Sequence, residues 1–70
     1  PEQQAAAALA LLRKNAWRYR PAEPEGEEDE HARFARLKRA EAKARAYLAR
    51  RGFDPDAVQS AVEAVGWFET

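Results

Sequence analysis

β-Branched side chains are almost missing from this chain: only Val58, Val62, Val65 and Thr70 carry one, and there is no Ile. Strands draw on such residues for their pleated faces, so a sheet has little to be built from. Alanine, the best helix former, is the dominant residue instead. Three Gly and four Pro are all that interrupt it. The expected fold class is therefore all-α. Seventy residues make one domain, spanning 1–70. A chain this short buries about 60% of its unfolded surface, so its core must be thin.

The interruptions divide the chain into three helices. The first is expected over Glu2 to Arg20, where Ala5, Ala8, Leu9, Leu12, Ala16 and Tyr19 recur at three- and four-residue spacing and form one apolar stripe. Pro21 and Pro24 forbid its continuation. Residues 21–28 read as a linker, rich in Pro, Glu and Gly, whose self-repelling charge should keep it extended and mobile. The second helix should begin near Glu28 to Glu30 and run to Arg51. Its stripe is Phe34, Leu37, Ala40, Ala44, Tyr47 and Leu48. Gly52 is placed to take a left-handed conformation just past this helix, and Phe53 then reaches back to Leu48, as in a Schellman motif. Asp54 is the N-cap of the third helix and Pro55 its first residue. Phe53 also precedes that cap and faces Val58 as a hydrophobic staple. Val58, Ala61, Val62 and Val65 give the buried face. Gly66 stops the helix, and Trp67 and Phe68 fold back as an apolar plug.

Charge is zero in sum and uneven in place. Six of the 12 acids lie between Glu23 and Glu30, and eight of the 12 basic residues lie between Arg33 and Arg51, opposed there only by Glu41. An acidic linker thus adjoins a strongly basic helix. At 100° per residue, Arg36, Arg39, Lys43 and Arg50 cluster within an arc of about 60° beside the apolar stripe. Such a strip suits an acidic protein surface or a phosphate backbone. It also suits plain solvation. The first-helix cations Arg13, Lys14 and Arg18 are the next candidates. Ala35, Ala42, Ala46 and Ala49 make a smooth face able to approach another helix. Trp17 lies off the first stripe, free to stack on a partner or to pack on the linker.

Little here supports catalysis. Apart from the tyrosines, the hydroxyls are Ser60, in mid-helix, and the terminal Thr70. Nucleophilic catalysis needs such a group beside a base. His31 has no nucleophile near it in sequence, and one His cannot hold a metal alone. The acidic run 23–30 lacks the ligand spacing of an EF-hand loop, and there is no Gly-rich phosphate loop. No enzymatic activity, cofactor or metal is expected. Absence of Cys fits a reducing, cytoplasmic setting. Pro1 to Leu12 does not read as a signal peptide, because it lacks a basic start. The apolar run Ala5 to Leu12 is too short to span a bilayer. The start at Pro1 and the lack of any Met suggest a piece of a longer protein, with methionine removal after a Met-Pro start as the alternative.

The segment Arg45-Ala46-Tyr47-Leu48-Ala49-Arg50-Arg51-Gly52-Phe53-Asp54, followed by Val58, Ala61 and Val62, resembles the repeat signature of the RecX family. Ala5, Ala8, Leu9, Leu11, Leu12, Arg13 and Lys14 resemble the first helix of its last repeat. RecX proteins are bacterial regulators of the RecA recombinase, built from tandem three-helix repeats. The resemblance implies a C-terminal repeat module. It also implies a non-enzymatic role: binding in the groove of the RecA–DNA filament and inhibiting its ATPase, strand-exchange and co-protease activities, within DNA recombination, repair and the SOS response. Leu48, Gly52, Phe53 and Val58 would be structural, with Asp54 as the cap. The interface candidates Arg36, Arg39, Lys43 and Arg50 rest on helix geometry alone. Two other readings remain open: a small nucleic-acid-binding domain that lays the basic helix along phosphates, and a purely structural repeat unit.

Overall fold

The computed structural model describes residues 2–24 and 26–69. They form four helices: α1 (Glu2–Lys14), α2 (Ala16–Tyr19), α3 (Glu30–Arg50) and α4 (Pro55–Val65). No strand occurs among the described residues. Pro1, Glu25 and Thr70, the second of them within the expected linker, lie outside the described residues.

The expected first helix, Glu2 to Arg20, is in fact two. Asn15 breaks it, with φ −107° and ψ 29°. Its side-chain amide donates to the Leu11 carbonyl (2.9 Å) and to the Tyr47 hydroxyl (3.4 Å). Asn side chains compete in this way with backbone helix bonds. Here the Leu11 carbonyl accepts from both the Asn15 side chain and its backbone N–H (3.1 Å), and the Tyr47 hydroxyl of α3 engages the same amide. α2 then ends at Arg20, whose ψ of 128° is the extended conformation that a following proline demands.

α3 starts and stops as its local chemistry dictates. The Asp29 carboxylate accepts from the Ala32 N–H at 2.7 Å, satisfying an amide that the first turn leaves orphaned. At the other end Gly52 has φ 94°. The Phe53 N–H donates to the Leu48 carbonyl (3.3 Å) and the Gly52 N–H to the Ala49 carbonyl (3.0 Å). Those two bonds define a Schellman motif. Phe53, half-buried, packs against the core that holds Leu48 and Val58, so one ring serves both ends of the turn. Asp54 stands at the N-cap of α4 without a side-chain cap bond. Its own N–H donates to Gln4 Oε1 (3.2 Å), tying the turn to α1. Gly66, at φ 70°, ends α4.

α4 is the shared element: α1 and α3 both pack on it, while α2 packs on α3. The core is Ala8, Leu12, Tyr19, Ala44, Leu48, Val58, Ala61, Val62 and Phe68, with Trp67 partly buried against it. The molecule measures 40 × 19 × 18 Å. That length comes from α3, whose 21 residues span about 31 Å, against about 16 Å for the 11 residues of α4. The N-terminal turns of α3 therefore overhang the core. Phe34, expected on the buried stripe, is 50% exposed for this reason. The Lys38 ammonium lies 5.5 Å from its ring centroid. No helix among the described residues is long and apolar enough to cross a membrane.

Candidate functional site

Tyr19 organises the surface where α2 meets α3. Its ring is buried and stacks on Tyr47, with centroids 4.7 Å apart. Two cations gather over the same ring. Arg18 Cζ lies 5.7 Å from the Tyr19 centroid and Lys43 Nζ 6.0 Å. A π face attracts cations electrostatically, so one ring holds charges from two helices close together.

A groove of about 460 Å³ opens beside this cluster. α2 and the start of the linker supply Trp17, Arg18, Arg20, Ala22 and Glu23 to it, and α3 supplies Arg36, Arg39 and Lys43. Five cations thus face one acid. Trp17 is 80% exposed, the most exposed large apolar side chain among the described residues. It does not pack away against the linker.

Arg36 differs from its neighbours. Its Nε and Nη2 bind the Glu28 carboxylate at 2.9–3.2 Å, and its Nη1 donates to the Ala22 carbonyl at 2.7 Å. Forked pairs of this kind are the stronger class of ion pair. The hydrogen bond to Glu28 raises the guanidinium pKa above its already high ordinary value; desolvation opposes it, and the charges of Glu28 and Glu23 add to the rise. The linker expected to be free is consequently attached to α3 at two points, Ala22 and Glu28. Among the described residues Arg18, Arg20, Arg39 and Lys43 form no ion pair. The other bridge joins Arg45 to Glu41 at 3.1 Å, and Arg45 also donates to Gln59 Oε1 (2.6 Å), linking α3 to α4.

The structure therefore gathers four of the expected interface residues, Arg18, Arg36, Arg39 and Lys43, into one groove. Arg50, Arg13 and Lys14 are exposed but lie outside its lining. Periodicity on α3 pointed to one wall. The other wall, with Trp17, Arg18 and Arg20, depends on how α2 docks; its sequence signals were the first-helix cation Arg18 and an aromatic residue off the stripe, and Arg20 had none. His31 is exposed. Among the described residues no group of three His, Asp or Glu is placed to hold a metal ion. Compared with family models, curated proteins and solved structures, the chain matches none.

Proposed function

We propose that this helical module is a non-enzymatic regulator that docks on the RecA–DNA recombinase filament and restrains its activity, within bacterial recombination, repair and SOS control. Such a role goes with a cytoplasmic location. The observation that carries the reading is the α2–α3 groove, in which four cations, without an ion pair among the described residues, surround an exposed tryptophan that the core does not need. Aromatic and Arg anchors of this kind dominate the energetics of binding surfaces. Cationic surroundings steer the approach of an anionic filament. The resemblance at Arg45–Asp54 supplies the identity of the partner, and the turn built at Gly52 and Phe53 has the form that this resemblance implies.

The test is RecA ATPase on single-stranded DNA. The protein should slow hydrolysis, and an Arg18→Glu, Arg39→Glu, Lys43→Glu variant should not. All three side chains point away from the core, so circular dichroism should stay helical. Absence of inhibition by the unaltered protein, or undiminished inhibition by the well-folded variant, would refute the reading. A second reading, a repeat unit that packs on its neighbours, draws on the exposed Ala35, Ala42, Ala46, Ala49 strip and on Phe34.

A further inference from the structure

Trp17 presents nearly its whole indole to solvent in a groove that is otherwise cationic. An exposed aromatic plane and an array of cations that form no ion pair among the described residues serve different parts of a ligand. The plane offers stacking to a flat ring, and the cations offer partners to negative charges carried beside it. We infer that the α2–α3 groove is a binding site for single-stranded nucleic acid, with a base stacked on Trp17 and the phosphates running past Arg18, Arg20, Arg39 and Lys43. It draws on the same groove as the filament reading but needs no RecA, so an assay without RecA tests it separately.

Three features choose this occupant. Charge complementarity is one: with Arg36 already paired to Glu28, four cations against Glu23 favour a polyanion, and the pair over Tyr19 keeps two of the charges within 6.0 Å of one centroid. The free plane of Trp17 is the second. A duplex hides its base faces within the stack, whereas a single strand exposes them, and base–aromatic stacking with backbone-tracking cations is the general solution for binding single strands. The third is the arginines, whose planar forks match phosphate oxygens. An acidic peptide would satisfy the cations and leave the indole without a stacking partner. Arg36 is occupied by Glu28 and Ala22, so it is left out of the phosphate track.

The probe is a fluorescein-labelled oligo(dT) of about fifteen nucleotides, within the site size of small single-strand binders. Its anisotropy is followed as protein is added at low salt. Binding should weaken with salt at a log–log slope no steeper than about −2.8, the limit for four cations at about 0.7 per phosphate. Trp17→Ala should weaken binding at least about fivefold, the low end of one base stack, and leave circular dichroism unchanged. Arg39→Gln with Lys43→Gln should flatten the slope by about 1.4. In a Trp67→Phe background, oligo(dT) should also quench the remaining Trp17 emission. Absence of binding, an affinity that Trp17→Ala does not change, or equal affinity for a duplex or a polyglutamate of matched length would each overturn the inference.

Discussion

Leu48→Ala is the substitution that asks most of the packing described above. Leu48 is 0% exposed, and it lies in the core with Ala8, Leu12, Val58, Ala61 and Val62. Removing its isobutyl group forfeits the burial of that group and leaves a hole beside small neighbours that cannot fill it. Leu→Ala changes at such sites cost about 3 kcal/mol. The Leu48 carbonyl, which accepts from the Phe53 N–H, belongs to the backbone and is kept, so the loss reports on the side chain. A domain of this size has about 4–10 kcal/mol of stability in all. The midpoint of thermal unfolding should therefore fall by at least about 12 °C. Phe34→Ala is the matched control on the same helix. Its ring is half exposed and meets a surface cation, and its loss should cost less than about 1 kcal/mol. Urea and thermal melts by far-UV circular dichroism measure both. Equal losses for the two variants would refute the assignment of the core to the C-terminal half of α3.

Other expectations follow from the helix ends and the linker. Gly52→Ala should destabilise by about 1 kcal/mol in urea melts, since a Cβ would meet nothing within 4 Å and only the positive φ opposes it. Asp29→Ala should cost about 1 kcal/mol through the lost cap and leave α4 protected in hydrogen exchange. A Glu-specific protease should cut first within 23–30, and Arg36→Gln should speed that cleavage by freeing both attachment points of the segment. First cleavage inside α3 instead would contradict the long-helix assignment.

Features written within a few residues were legible from the sequence: the Gly52–Phe53 turn, Pro55 at the head of α4, Gly66 at its end, and the bounds of α3. Each depends on backbone chemistry that acts locally. What escaped depends on partners far along the chain. The first helix breaks at Asn15, whose amide engages Tyr47, 32 residues away. Phe34 has a core-like spacing but no core beneath it, because α3 is longer than the layer it covers. The site divides in the same way. Helical periodicity placed Arg39 and Lys43 on one face, whereas the approach of Trp17 and Arg18 follows from the Tyr19–Tyr47 stack, which no single-helix pattern encodes. The hold of Arg36 on the linker is likewise a tertiary event, set by Glu28 and Ala22 together.

That hold has a consequence for how the chain tolerates change. Because one guanidinium fastens Ala22 and Glu28, the stretch between them behaves as a closed bight whose span is set elsewhere. Closing a flexible loop becomes harder only as the logarithm of its length, by about 0.6 kcal/mol for each doubling. Extra residues spliced between Ala22 and Glu28 would enlarge the bight and leave the four helices in register. This is the place where the chain can vary in length between relatives, or accept a peptide tag, with the least effect on the rest of the molecule.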